Sequence, residues 1–354
     1  VQTCALPISV GYADPATIIN NTLSNSSIIT NTTWTSKNYF VNGSLTIEPQ
    51  STLIIQTSTL NFIDDNSYII VKPGAKLILD GATLTNACSK PWKGIQVWGD
   101  KTAHQFPDAN GNYQQGYLEL NEATIENAVC AVDLWKPDDY DKTGGILKAT
   151  NSHFINNVKS IHACNYTNKH PVTGQAISNV SFAKNCTFEI NEAYNPALEF
   201  FKHVDLCHVN GIRFLGCDFL VSNVNGVSLY NQAIASYSAS FKVDGYCNAS
   251  IIPCPEVYYD HTTFTGFNWG IFATADLSLT NTFSVSHSIF NNNGTGIKMT
   301  AVKNASIYDN DFNIGPNLGD AYLCNTTSAS GFGIYSENSS GFSIEENLFQ
   351  KANG

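Results

Sequence analysis

Two stretches near the end of the sequence carry the same pattern. One opens on Gly296-Ile297 and the other on Gly333-Ile334. Ser306-Ile307 and Ser343-Ile344 follow at equal distance, then Asn310 and Phe312 against Asn347 and Phe349. The shared pattern is G-I-x8-S-I-x2-N-x-F, and Phe290 lies 22 residues ahead of Phe312. A period near 22, rich in β-formers and without helical spacing, constrains the fold strongly. One such unit cannot bury an apolar face alone and must stack on copies of itself. That reads as one coil of a parallel β-solenoid. A β-sandwich is the runner-up, but it does not predict matched spacings.

The frame extends backwards. Bulky residues recur at Leu84, Ile125, Phe154, Phe188, Phe219, Phe264, Phe290, Phe312 and Phe349. Small-then-branched pairs follow several of them: Ala131-Val132, Ser160-Ile161, Gly270-Ile271 and Gly296-Ile297. Polar residues precede the aromatic, at Asn151, Asn185, His261, His287, Asn310 and Asn347. Asparagine at a bend satisfies backbone groups that the turn leaves free. Earlier, Leu45 to Pro49 aligns with Ile69 to Pro73, and Leu53 to Ile55 with Leu77 to Leu79, at an offset of 24. The expectation is an all-β parallel β-helix of about eleven coils, each of roughly 22–24 residues plus loop insertions. Residues 44–354 form that single domain, and residues 9–43 form a leading β segment. Within 191–208, the run Pro196 to Val204 is expected to hold a short helix.

Both ends depart from this frame. Residues 1–8, VQTCALPI, have no basic start and no sustained apolar run, so they fit no signal peptide. They resemble a translated library adapter and are set aside, with Cys4. The chain stops at Gly354 just after a repeat aromatic and without a closing cap. It is expected to be a fragment truncated at its C-terminus.

Charge excludes some functions. Only 13% of residues are charged, against about 25% in an average globular protein. Net charge is −11, and Arg213 is the one arginine. Phosphate binding needs clustered Lys and Arg, so nucleic acid is not an expected partner. Nor is a dedicated site for acidic ligands expected. No apolar run reaches the roughly 20 residues of a membrane helix. The ten cysteines form no CxxC pair and suit no zinc site. Cys247 and Cys254 flank a turn-rich NASIIP and are expected to form a local disulfide. Cys207 and Cys217 are a second candidate pair. Cys186 and Cys217 each sit two residues before an aromatic, which also places them to stack in the core.

Few residues suggest chemistry. Asp138, Asp139 and Asp141 lie on one loop beside Trp135. Three carboxylates can supply oxygen ligands to calcium; the alternative is a solvated acidic turn. Asp64-Asp65 reads as an Asx turn. His261 and His287 share one repeat position and are expected to stack on adjacent coils as a structural ladder. Trp98, Trp135 and Trp269 are candidate sugar platforms if exposed, Trp135 being the one kept as a ligand-binding candidate.

The segment from Val71 to Thr85 reads V-x-P-G-A-x-L-x-x-x-G-A-x-L-T, and Trp92 to Gly99 reads W-x-G-I-x-V-x-G. This combination resembles large secreted β-helix proteins of Bacteroidota, over roughly residues 44–354. The resemblance implies a right-handed β-helix of the pectin-lyase-like fold and export by a C-terminal type IX sorting domain, which this chain does not contain. Most such proteins have no assigned activity. Polygalacturonase-like enzymes carry N-T-D, G-H-G and R-I-K motifs, all absent here. Pectate-lyase-like enzymes need a base beside carboxylate-held calcium, and Arg213 has no acidic cluster near it in sequence. The expected function is therefore a non-catalytic, monomeric, extracellular or cell-surface protein, an adhesin-like or glycan-binding stalk whose partner is a polysaccharide or cell-surface glycan. No cofactor is expected, calcium being the one candidate. The alternative is a polysaccharide lyase or glycoside hydrolase.

Overall fold

The computed structural model describes residues 21–251, 253–276, 282–314 and 331–351. The expectations for residues 1–8, for residues 9–20 of the leading segment and for the end at Gly354 lie outside the described residues. Three walls of parallel strands build the molecule. The first is an 11-stranded sheet running from Thr32–Thr35 to Ser343–Glu345, one strand per coil. The second and third form one 21-stranded sheet. They meet at a corner inside strand Asn38–Ile47, whose first half pairs with Thr59–Phe62 and whose second half pairs with Tyr68–Val71. The chain is a parallel β-helix. At about 4.8 Å per coil, eleven coils give a rod roughly 50 Å long.

Three interior columns make the core. The second wall carries the aromatic series found in sequence. Leu84, Ile125, Phe154, Phe188, Phe219, Phe264, Phe290, Phe312 and Phe349 are Cα partners in unbroken register. From Phe154 onward the rings stack face to face, with centroids 4.5 to 5.0 Å apart and planes within 8°. Each buried phenylalanine contributes about 1.5–3 kcal/mol by transfer, and each ring pair about 0.5–1.5 kcal/mol more. The third wall stacks Ile95, Val132, Ile161, Val204, Ile234, Ile271 and Ile297. The glycine before a branched residue has a steric cause, as at Gly296. A Cβ on Gly296 would lie 2.6 Å from the Gly333 carbonyl oxygen and 2.7 Å from the Phe312 ring.

The corner before the aromatic uses two positions, where the sequence reading saw one. Three residues ahead of the aromatic, Asn151, Asn185, His287 and Asp309 take left-handed backbone with φ of 47–51°. Asparagine and aspartate tolerate this conformation best among residues with a Cβ. The next residue turns inward: Ser152, Cys186, Ser288 and Asn310. Asn310 Nδ2 donates to the Val285 and Tyr308 carbonyls at 3.1 and 2.9 Å, and Asn310 Oδ1 accepts the Ser288 amide at 3.0 Å.

Residues 196–204 form no helix. A turn leads into strand Phe200–Val209, where Val204 and Leu206 stack in register on Ile161 and Ala163. Interior ladder contacts override the local helical preference. Cys186 and Cys217 stack in the core. Cys207 lies beside Cys164 on the neighbouring strand, so Cys207 and Cys217 do not pair. Cys247 and Cys254 are joined by a disulfide.

Replacing Phe219 by Ala is expected to cost about 3–5 kcal/mol in urea unfolding. Ser284→Ala, on the outer side of the first wall, is expected to stay within about 0.5 kcal/mol. Equal losses would remove the ring column from its place in the core.

Candidate ligand-binding wall

The acidic loop does not gather a metal site. Strands Trp135–Lys136 and Asp139–Thr143 form a hairpin with Asp138 at its turn, at φ 67°. Asp139 bonds Lys136 at 3.1 Å, and Asp141 bonds Lys101 at 2.5 Å. Those two carboxylates are held by different lysines instead of converging. Among the described residues, no group of three or more His, Cys, Asp and Glu is placed to hold a metal ion. Trp135 is only 8% exposed. Its ring packs 5.3 Å from Tyr140 and edge-on to His162, and its Nε1 donates to His162 Nδ1 at 3.3 Å. A sugar cannot lie on a ring covered in this way; the exposed Tyr140 takes that position. Trp269 is also buried, under Lys298. Asp64 caps its own turn through Ser67 and Asn66, as an Asx turn does.

The first wall offers a different assembly. On its outer side Glu119, Lys148, Phe182, Arg213 and Lys242 are partners on five successive coils. Lys184 stands beside Phe182 on the same strand. The cations lie over aromatic faces: Arg213 over Phe182 at 5.7 Å, Lys184 over Tyr246 at 4.7 Å, and Lys148 over Tyr113 and Tyr117 at 5.6 and 5.5 Å. Among the described residues Lys148, Lys184 and Arg213 form no ion pair with a carboxylate. At one end, Tyr113 and Tyr117 stack at 4.7 Å and border a cleft of about 60 Å³ with Lys76, Gln50 and Thr52.

At the other end lies a cluster of acids and histidines. Asp244 pairs with Lys242 at 2.7 Å, and its Oδ1 accepts from His287 Nδ1 at 2.8 Å, Ser286 at 2.9 Å and Tyr259 at 3.4 Å. Burial works against the charged Asp244 carboxylate, but the bonds from Lys242 and His287 outweigh it and hold its pKa below the ordinary value. His287 Nε2 faces Asp309 at 3.6 Å. His261 Nε2 bonds Glu256 at 2.7 Å, and its Nδ1 meets the His287 carbonyl at 3.1 Å. The expected stack of His261 on His287 is absent. Tyr259 packs against both rings, at 5.5 and 4.9 Å, and each histidine has its own carboxylate. The disulfide-closed loop delivers Glu256 and Tyr259 to this place.

Comparison with known proteins finds no similar family, curated protein or solved structure. The site therefore stands on its own geometry. Sequence reasoning named Arg213, His261 and His287 but missed Lys148, Phe182, Lys184 and Asp244. A signal was present. Counting back six residues from Ile125, Phe154, Phe188 and Phe219 gives Glu119, Lys148, Phe182 and Arg213, the outer column itself. Lys242 escapes this count because an insertion separates it from Phe264.

Burial disfavours a charged His261, but the Glu256 bond and the His287 carbonyl outweigh it and raise its pKa. A raised histidine pKa stabilises loop docking below about 6.5, its unfolded value. That contribution is lost as pH rises through the raised value. Amide protection of residues 245–251 and 253–260 is expected to weaken as pH rises from about 6.5 through that raised value, beyond the intrinsic exchange effect. Glu256→Gln is expected to abolish the extra pH dependence. An unchanged profile in that variant would disprove the pairing.

Proposed function

We propose that this protein is an extracellular or cell-surface glycan-binding β-helix, and that its first wall holds an extended saccharide bearing carboxylate or sulfate groups. One observation carries the reading: Lys148, Lys184 and Arg213 stand in adjacent coils over aromatic rings without carboxylate partners. The ring faces hold the cations in place without neutralising them, and such cations bind acid substituents. The coil spacing sets them in a line suited to a chain and not to a compact ligand. The sequence expectation set acidic ligands aside on charge count; the folded wall supports the opposite choice. The local disulfide accords with an oxidising compartment. Among the described residues no helix is long and apolar enough to cross a membrane.

A second reading, cleavage of the bound chain, is favoured by the Asp244–His287 hydrogen bond at the end of the stripe. An imidazole oriented by a carboxylate is suited to proton transfer.

The test is affinity electrophoresis against neutral, carboxylated and sulfated polysaccharides, with ultraviolet absorbance and reducing ends followed alongside. Retardation by an acidic polysaccharide is expected, weakening with salt. The triple variant Lys148→Gln, Lys184→Gln, Arg213→Gln is expected to lose at least about tenfold in affinity, roughly 1.4 kcal/mol. Phe182→Ala is expected to weaken binding without changing the salt slope. Unaltered retardation in the triple variant refutes the wall. New reducing ends or unsaturated products that vanish in His287→Gln establish the second reading.

A further inference from the structure

Five cysteines carry free thiols among the described residues, and four of them form two stacked pairs. Cys186 and Cys217 are inside the core. Both are sealed from solvent, Cys186 at 1% and Cys217 at 0% exposure, so no small disulfide reaches this pair. Cys164 and Cys207 differ. They are Cα partners on the adjacent strands Ile161–Tyr166 and Phe200–Val209. They lie outside the apolar core cluster, in alternation with the inward Ala163 and Leu206. Cys164 is 9% exposed and Cys207 is half-buried. The register sets the two thiols side by side across this strand pair.

We propose that Cys164 and Cys207 form a dithiol exchange site whose substrates are small-molecule disulfides. Adjacent in-register strands bring the two Cα atoms to about 4.8 Å, inside the range a disulfide spans. Its place beside the Cys164 thiol draws the Cys207 pKa down to about 7, and the same pairing pushes the Cys164 thiol up. Cys207 is thus the attacking thiolate and Cys164 the resolving thiol. The Cys207 sulfur attacks one sulfur of the small disulfide, breaks its S–S bond and expels one thiol, which takes up a proton. Cys164 loses its proton and attacks Cys207 in the mixed disulfide, expelling the second thiol. Two protein thiols are oxidised to one disulfide, and one disulfide is reduced to two thiols.

The native protein is incubated with glutathione disulfide near neutral pH, quenched with acid and mapped by mass spectrometry without reduction. The expected result is a Cys164–Cys207 linkage with release of two glutathiones per chain, while Cys186 and Cys217 remain thiols. Cys164→Ser is expected to stop at a glutathione adduct on Cys207; Cys207→Ser is expected to form neither product. Circular dichroism checks that each variant is folded. A stable glutathione adduct in the unsubstituted protein overturns the proposal, because Cys164 then fails to resolve it. An unmodified Cys207 overturns it as well. So does oxidation of Cys186 and Cys217 at the same rate, which places the reaction in unfolded chains.

Discussion

Every level of this structure depends on one constraint, the in-register stacking of equivalent positions on neighbouring parallel strands. The strand spacing places each side chain about 4.8 Å from its counterpart. A column therefore works only if its members suit one another. Phenylalanine suits itself: flat rings at that spacing stack in the observed geometry from Phe154 to Phe349. The aromatic column in turn fixes what stands opposite it. Gly270, Gly296 and Gly333 are confined to glycine because the ring column, and at the first two also the next carbonyl, occupies the space of a Cβ. In these last coils the glycine-then-isoleucine signature is a consequence of the aromatic series; earlier in the same column His203 precedes Val204.

That dependence explains what was legible in the sequence. Interior columns repeat the same residue type, so Leu84 through Phe349 could be aligned from spacing alone. The outer column of the candidate wall does not repeat one residue type. Glu119, Lys148, Phe182, Arg213 and Lys242 share a position, but an acid and an aromatic interrupt the cations. They become one surface only when the interior register is imposed on them. The polar corner misled for a related reason. Asn151 and Asn310 are the same residue type on different columns, one chosen for left-handed backbone and one for buried hydrogen bonds. In the acidic loop, proximity in sequence does not create convergence: Asp139 and Asp141 each lie nearer a lysine. The histidines shared a repeat position, as read. The insertion after Asp244 then supplied Tyr259 and Glu256, which no repeat could announce.

Net charge also proved a poor guide to the wall. A chain at −11 can still gather cations locally, because net charge describes long-range solubility and steering. What matters for binding is whether a cation is already neutralised. Lys242, facing Asp244 at 2.7 Å, is. Lys148, Lys184 and Arg213 rest instead on ring faces. A cation–π contact at an exposed site is worth about 0.5–1 kcal/mol. It orients the side chain while leaving its formal charge available to a ligand anion. A wall preorganised by rings would therefore sacrifice less conformational entropy on binding than freely rotating lysines would.

The same register that makes rings stack also brings thiols together, and burial then separates their fates. Cys186 and Cys217 occupy the inward column that elsewhere holds Ser152, Ser288 and Asn310. There a thiol serves as a small apolar residue whose hydrogen need only reach a carbonyl: Cys186 donates to Lys184 and Cys217 to Ala183. Cys164 and Cys207 occupy an outer column, with Tyr237 next in register. Nothing in the packing of the core requires sulfur at that place. Serine, close in size, would fill the same place. Where packing does not call for a thiol, its reactivity is the remaining physical reason for it.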